Sequence, residues 1–126
     1  MLLVNAQVGA SAIHGLGLFA KQFIPAGTAI WRFAPSFDVV IPEEMLSELS
    51  STAQEQVRHY AEYFPAERKF VLSSDDDRFT NHSDNPNTAS HGGKTSFAVR
   101  DINEGEEITH DYREMVMVGF RPDPKP

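Results

Sequence analysis

Two short stretches near the C-terminus hold most of the side chains that could bind a ligand or take part in a reaction. Residues 78–87 read Arg-Phe-Thr-Asn-His-Ser-Asp-Asn-Pro-Asn, and residues 105–112 read Gly-Glu-Glu-Ile-Thr-His-Asp-Tyr. An asparagine amide offers donors and an acceptor, so it can bind a group that carries both charges. Imidazole and phenol groups can exchange hydrogen bonds and protons with a substrate. Both stretches are therefore candidates for a binding or catalytic site.

The sequence argues against several other kinds of chemistry. The chain has no cysteine, which excludes disulfides, thiolate zinc sites and cysteine nucleophiles. No two histidines stand four residues apart, so we predict no metal site. Ser83 or Ser96 could be a nucleophile beside a histidine, but no Gly-x-Ser-x-Gly turn is present. The run 75–77 lacks the spacing of a calcium loop and is interpreted as a solvated charge run. Glu106 and Glu107 are adjacent in a predicted strand and point to opposite faces, which indicates structural roles.

A glycine pair near the N-terminus is a weaker candidate. Residues 11–17 form a small-residue loop that contains Gly15 and Gly17. Glycine lets the backbone approach a ligand closely and adopt a positive φ. The same pair is equally compatible with an ordinary turn between strands, and it lacks the third glycine and following helix of a dinucleotide-binding fingerprint. By itself the pair identifies no ligand.

The elements that must position these residues are mostly short strands. A helical region is predicted over 42–64, because Pro42 and two glutamates suit a helix start and Pro65 suits its end. Within it, Thr52 and Glu55 form a capping-box pattern for a second helix. A proline-rich tail, 121–126, is expected to be extended. Strands are predicted at 2–8, 18–23, 28–33, 37–41, 69–72, 95–99, 107–109 and 115–120. This pattern gives a β-rich α+β class.

Composition and charge bound the class of protein. A chain of 126 residues with 40% hydrophobic residues predicts one globular domain. The formal net charge of −7 disfavours direct nucleic-acid binding and suits a cationic partner. There is no apolar run long enough to span a membrane, and the N-terminus is a poor signal peptide. We therefore expect a cytoplasmic protein that does not bind membranes.

The order of three motifs resembles that of the SET domain, the fold of S-adenosylmethionine-dependent protein lysine methyltransferases. The motifs are Gly15-Leu16-Gly17-Leu18-Phe19-Ala20, then Asn81-His82-Ser83 with Pro86-Asn87, then Gly105-Glu106-Glu107-Ile108 with Asp111-Tyr112. The resemblance covers about residues 2–115. It implies small curled β-sheets, a helical insert at about 42–64, and a C-terminal segment threaded under a loop, all within a domain of residues 1–120. It also implies S-adenosylmethionine as cofactor and a protein lysine as substrate.

The resemblance assigns roles to particular residues. The Asn81 amide would contact the amino-acid end of the cofactor, and backbone groups at His82 would contact adenine. The Tyr112 hydroxyl would lie beside the transferring methyl group and the substrate amine. Phe120 would cover adenine or close the lysine channel, although a packed terminal strand residue is an equal alternative. The loop with Gly15 and Gly17 would wrap the methionine end, and His14, Leu16 and Leu18 would contribute mostly through their backbone.

Two positions depart from the family pattern. His110 stands where the family usually has Phe or Tyr, a position that governs how many methyl groups are added. We place it in the catalytic site and leave the number of methyl groups open. Phe33 falls where many members have another active-site tyrosine. These departures support an alternative, a non-catalytic module that binds the cofactor or another protein. The chain lacks the cysteine-rich flanks of many members, so a homodimer could complete the channel.

Overall fold

The computed structural model describes residues 1–125, which contain ten short strands, one α-helix and three 3-10 helices. The helix α1 is Ser51–Tyr60, and the 3-10 helices are Glu43–Glu48, Asp76–Phe79 and Tyr112–Glu114. The strands are β1 Ala6–Ala10, β2 Leu16–Ala20, β3 Ala29–Arg32, β4 Val39–Pro42, β5 Glu62–Phe64, β6 Lys69–Leu72, β7 Asn81–His82, β8 Thr88–His91, β9 Thr95–Ala98 and β10 Glu107–His110. No helix in this part of the chain is both long and apolar enough to cross a membrane.

The strands form three small sheets, in the orders β1-β2-β10-β7, β3-β9-β8 and β4-β6-β5. Strand β10 lies between the antiparallel β2 and the parallel β7. In the parallel pair, Thr109 lies opposite Asn81 and His110 lies opposite His82. This pairing brings together the two stretches that the sequence singles out, although the paired residues are 28 positions apart along the chain.

Two apolar clusters hold these sheets together. The larger cluster joins strands of the first two sheets and consists of Leu18, Ala20, Ile24, Ile30, Ala98, Ile102 and Ile108. The smaller cluster packs the helical region on the third sheet and consists of Leu46, Val57, Ala61 and Phe70. Ile108 of β10 is completely buried in the larger cluster. The strand that precedes the Asp-Tyr motif is therefore held in one position relative to the core.

The helical prediction over 42–64 is wrong at its C-terminal end. Residues 62–64 form β5, which pairs with β6, so sheet pairing overrides the helical pattern there. The helix α1 is capped by the Ser50 hydroxyl, which accepts from the Ala53 amide at 3.3 Å, and not by Thr52. Strands β7 and β8 are absent from the prediction.

The predicted strand over 115–120 is also wrong, because this segment belongs to no sheet. It packs instead on the end of the helical region: the Tyr63 amide donates to Val116 O at 2.8 Å, and the Gly119 amide donates to Arg58 O at 3.0 Å. A side chain at Gly119 would come within 2.9 Å of that carbonyl oxygen, so glycine permits the close approach. The segment beyond it has no regular structure through Lys125, and Pro126 lies outside the described residues.

Candidate cofactor and lysine site

The Asn81 side chain joins the glycine loop to strand β10. Its Nδ2 atom lies 3.1 Å from His14 O, 2.9 Å from Leu16 O and 3.0 Å from Glu107 Oε1. Two amide hydrogens therefore face three oxygen atoms. This surplus of acceptors, one of them a carboxylate, is suited to an ammonium group.

The glycine loop contributes through its backbone, as the resemblance implies for His14 and Leu16. Gly15 has a φ of +48°, which favours glycine and turns both neighbouring carbonyl groups toward Asn81. Gly17 has a different reason to be glycine, because a side chain there would come within 2.1 Å of Glu107 Oε1. The same carboxylate accepts from the Ser11 hydroxyl at 2.8 Å. Glu107 is thus the residue that holds the loop on β10, which supports the structural role predicted for it.

Three aromatic side chains meet beside this loop. The ring centroids of His82, Tyr112 and Phe120 lie 5.6 to 5.8 Å from one another. The Nδ1 atom of His82 accepts from the Tyr112 amide at 3.1 Å, so Nε2 carries the proton of the neutral ring and donates to Asp84 at 3.1 Å. Phe120 remains about half exposed (48%). A flat ligand could cover this ring.

The Tyr112 hydroxyl is fixed by a short hydrogen bond that it donates to Thr80 O. Desolvation and the nearby Asp77 charge raise the pKa of Tyr112 to about 12. The phenol therefore stays protonated near neutral pH and can position a group but is not a general base. Asp111, the neighbour in the motif, is structural, since it accepts from the Arg113 amide at 3.0 Å and pairs with Lys125 at 3.0 Å.

Tyr112 also lines a cavity of about 90 Å³ that is partly open to the surface. The cavity lining does not include the glycine loop, Asn81, His82 or Phe120. Tyr112 is therefore the residue that the aromatic cluster and the cavity share. The cavity wall combines apolar side chains with polar and ionisable ones. The polar and aromatic side chains of the wall include Trp31, Glu62, Asp77, Arg78, Thr88, His110 and Tyr112.

His110 faces this cavity, where sequence analysis places a catalytic residue. The side chain is buried, and its Nδ1 atom lies 2.9 Å from the Thr88 hydroxyl. Its Nε2 atom lies 3.4 Å from Glu114 Oε2 without making a hydrogen bond. Burial lowers the pKa of His110, although the Glu114 charge opposes that shift. The neutral imidazole is therefore favoured at neutral pH.

The sequence does not predict a site role for two acids in the cavity wall, Glu62 and Asp77. Glu62 was predicted to be helical, and Asp77 was interpreted as part of a solvated charge run, which is wrong for that residue. Asp77 as a whole keeps some exposed surface, but its carboxylate lies among protein atoms and accepts from the Ser73 hydroxyl at 3.0 Å. Desolvation raises the pKa of Asp77 to about 6. Desolvation and the Asp77 charge raise the pKa of Glu62 to about 7.

These raised values predict that the acids destabilise the fold as the pH rises. The stabilising protonated form of Glu62 is fully present below its ordinary pKa of 4.5 and is lost as the pH rises through about 7. Between pH 5 and pH 8, the free energy of unfolding of Glu62→Gln should therefore rise relative to wild type, on the order of 2 kcal/mol. Urea unfolding across this range measures the difference.

The control for this prediction is Glu67→Gln, which removes an exposed acid from the turn between β5 and β6. Its unfolding free energy should follow that of wild type at every pH. If Glu62→Gln and Glu67→Gln show the same pH dependence, the Glu62 carboxylate is not desolvated and the prediction is wrong.

The residues on the outer side of Tyr112 fit S-adenosylmethionine. The acceptors around Asn81 suit the ammonium of its amino-acid end, and the exposed Phe120 ring beside His82 suits a planar base. When bound there, the cofactor would supply a methyl group carried on a sulfonium. The ring of Tyr112 would separate that side from the cavity, in which a lysine side chain has room.

Comparison with known proteins gives the same fold and family. The profile of the SET domain matches residues 15–113. A protein of Cryptococcus neoformans named "Histone-lysine N-methyltransferase, H3 lysine-36 specific" is 31% identical over 122 residues, which cover 86% of this chain and 14% of that protein. A protein of the same name from Mycosarcoma maydis is 33% identical over 123 residues, covering 86% of this chain and 12% of its own length. The chain thus spans a small part of these relatives.

Solved structures agree on the fold at low identity. A crystal structure from Plasmodium falciparum has a TM-score of 0.60 at 21% identity and covers 88% of this chain and 95% of that one. The ctPRC2 complex bound to S-adenosylmethionine has a TM-score of 0.65 at 20% identity and covers 86% of this chain and 15% of that one. From the match over residues 15–113 and the arrangement of the three motifs, the chain belongs to the SET domain family.

Proposed function

We propose that this SET domain transfers the methyl group of S-adenosylmethionine to the side-chain amine of a protein lysine. The observation that carries the proposal is the position of Tyr112, whose ring packs with those of His82 and Phe120 and which also lines the cavity. One hydroxyl can thus adjoin both a cofactor and a lysine that enters the cavity. The bond to Thr80 O fixes its orientation.

The chain's own residues have separate tasks in this proposal. Asn81 and the loop carbonyl groups bind the amino-acid end of the cofactor, and His82 with Phe120 covers its base. Tyr112 orients the amine, since holding two reactants in line accounts for much of the rate gain in such a displacement. The apolar wall of the cavity excludes water. The net charge of −7 favours encounter with lysine-rich proteins.

Two measurements test the proposal. Calorimetry with S-adenosylmethionine and S-adenosylhomocysteine should show saturable binding of both. Mass spectrometry should then detect labelled methyl groups on lysine in a proteome incubated with the protein, and a histone H3 peptide containing lysine 36 is a rational first substrate because of the relatives' names. Cofactor binding without any methyl transfer would favour the non-catalytic module, and no binding would contradict both proposals.

The product of the reaction should depend on His110. Its imidazole lies between Thr88 and Glu114 in the cavity wall, and it occupies space that a methylated amine needs. We expect wild type to stop at mono- or dimethyl-lysine. Mass spectra over time should therefore show different methyl distributions for wild type, His110→Phe and His110→Tyr. Identical distributions for all three proteins would show that His110 does not face the substrate.

A further inference from the structure

The inner wall of the cavity carries an acid pair that the SET motifs do not include. Glu62 begins β5, and Asp77 lies in the 3-10 helix Asp76–Phe79, so the two come from different elements. Both line the same cavity as Tyr112. The Glu62 carboxylate lies over the turn between β8 and β9, where a side chain added to Gly93 would come within 3.4 Å of Oε1.

Asp77 is tied to the hydrogen bond that fixes the Tyr112 hydroxyl. Thr80 donates to Asp77 O through both its amide, at 3.0 Å, and its hydroxyl, at 2.8 Å. Thr80 O in turn accepts from the Tyr112 hydroxyl. One turn of chain therefore positions both the acid and the phenol at the same side of the cavity.

The cavity also has hydrogen-bonding groups without partners. The Nε1 atom of Trp31 and the Nε2 atom of His110 are buried and make no hydrogen bond among residues 1–125, and these two residues are 8% and 4% exposed. The Thr88 hydroxyl donates to Thr109 O and accepts from His110 Nδ1, so His110 Nε2 is an acceptor, whereas Trp31 Nε1 is a donor. Buried polar atoms are almost always paired in folded proteins, so these two atoms indicate an occupant that can both donate and accept, as a neutral amine does. A lysine head group has a charge that suits the two acids.

We propose that Glu62 and Asp77 receive the ε-ammonium group of the substrate lysine and that Glu62 takes its proton. This inference rests on the proposed methyl transfer and adds the residue that frees the amine. One N–H bond of the ammonium breaks and one O–H bond forms on the Glu62 carboxylate, which leaves a neutral amine with a free lone pair. The product leaves as a methylated ammonium, and Glu62 returns its proton to solvent through its exposed edge.

Glu62 suits the role of acceptor better than Asp77 does. Asp77 already accepts a hydrogen bond from Ser73. The protonation state of Glu62 is set by burial and by the Asp77 charge, and its carboxylate accepts no hydrogen bond from residues 1–125. Desolvation also brings the two proton affinities together, because burial raises the pKa of a carboxyl group and lowers that of a lysine. A transfer that is strongly uphill in water becomes accessible in the cavity.

The other ionisable groups near Glu62 and Asp77 do not neutralise the two carboxylates. The Tyr112 phenol and the His110 imidazole are neutral, and the Arg78 guanidinium donates to the carbonyl groups of Ser74 and Asp75. On the far side of Asp77, the Met1 amine pairs with Asp38 at 3.1 Å, and Asp75 accepts from the Leu2 amide at 2.7 Å. Arg78 also lines the cavity, but among residues 1–125 neither Glu62 nor Asp77 forms an ion pair, so a cation entering the cavity meets two unpaired acids.

The kinetic arm of the test compares Glu62→Gln and Asp77→Asn with their exposed neighbours Glu67→Gln and Asp76→Asn. We expect Glu62→Gln to lower kcat by about 10-fold or more and to abolish the rise of kcat through pH 7, with cofactor affinity within about twofold of wild type. Asp77→Asn should shift that rise to lower pH, because it removes a like charge beside Glu62. Both controls should retain the wild-type profile. Unchanged kcat and pH profile in Glu62→Gln would overturn the inference and leave the proposed function intact.

The second arm needs neither cofactor nor turnover. Carbon-13 NMR of the carboxyl groups follows Glu62 and Asp77 while n-butylammonium chloride, a mimic of the lysine side chain, is added to the full chain. We expect saturable shifts of both carboxyl signals with n-butylammonium and none with n-butanol or sodium chloride. Absence of a saturable shift would overturn the inference even if methyl transfer is observed. A shift in a protein that binds no cofactor would retain the cation site and contradict the proposed function alone.

Discussion

Tyr112→Phe should lower kcat by about 100-fold while changing the affinity for S-adenosylmethionine by no more than about twofold. The ring remains, so its contacts with His82 and Phe120 persist. The hydroxyl, which Thr80 O holds in one orientation, is lost. Because an interaction made mainly in the transition state affects kcat more than binding, the two measurements should separate.

The pH dependence distinguishes a positioning phenol from a base. The pKa of Tyr112 is raised to about 12 by desolvation and by the Asp77 charge, so the hydroxyl keeps its proton throughout the range in which the protein is assayed. No limb of the pH profile near neutrality should therefore belong to Tyr112, and the residual activity of Tyr112→Phe should retain the wild-type pH dependence.

Tyr63→Phe is the matched control, since it removes a phenol hydroxyl from β5 on a side chain that packs against Phe70 outside the cavity. Its kcat should equal that of wild type. If Tyr112→Phe turns over its best substrate at the wild-type rate, or loses cofactor affinity in proportion to activity, the catalytic role assigned to Tyr112 is wrong.

The order of the motifs along the chain identifies their residues through the family resemblance, but it does not predict how they pair. Asn81 and His82 pair with Thr109 and His110, and β7 is only two residues long, too short for a strand period to show in the sequence. The backbone contribution of His14 and Leu16 is what the resemblance implies, and in the structure Gly15 between them has a positive φ while both carbonyl groups accept from Asn81. The roles of these residues toward a cofactor remain proposals.

The acid pair could not be predicted, because its burial depends on contacts distant in sequence. The apolar residues around Glu62 have a helical spacing. Glu62 is nevertheless a strand residue beside the cavity, because it pairs with Val71 of β6. Asp77 stands in a run of three aspartates, of which Asp76 is exposed while Asp75 binds the Leu2 amide. Local composition is the same for all three, so the sequence does not distinguish the one that faces inward.

The C-terminal segment is another part of the chain whose structure local sequence patterns do not predict. Residues 115–120 are apolar enough for a strand, yet they gain their hydrogen bonds from the end of α1 and from β5. Phe120 reaches His82 and Tyr112 because of this path. The prediction that Phe120 lies near the site needed the family resemblance, and no strand periodicity supports it.

Asn81→Ala should weaken binding of S-adenosylmethionine by on the order of 1.5–3 kcal/mol, which is about a 10- to 150-fold rise in Kd. The substitution removes the amide from a site where it lies within 3.1 Å of His14 O, Leu16 O and Glu107 Oε1. The loop then loses its link to β10, and the cofactor loses a contact to its amino-acid end. Calorimetry with the folded variant measures the change.

Asn81→Asp makes the prediction sharper, because an aspartate has nearly the same shape but can only accept hydrogen bonds when ionised. Its carboxylate would face two carbonyl oxygens and the Glu107 carboxylate, so the variant should lose the link between the loop and β10 and have a lower melting temperature. Asn103→Ala serves as the control, since the Asn103 side-chain amide donates to Glu106 in an exposed turn, at 3.1 Å, and to no other of residues 1–125. Wild-type affinity in a folded Asn81→Ala variant would place the cofactor's amino-acid end elsewhere, whereas equal losses in Asn81→Ala and Asn103→Ala would indicate a general loosening of the domain rather than a direct contact.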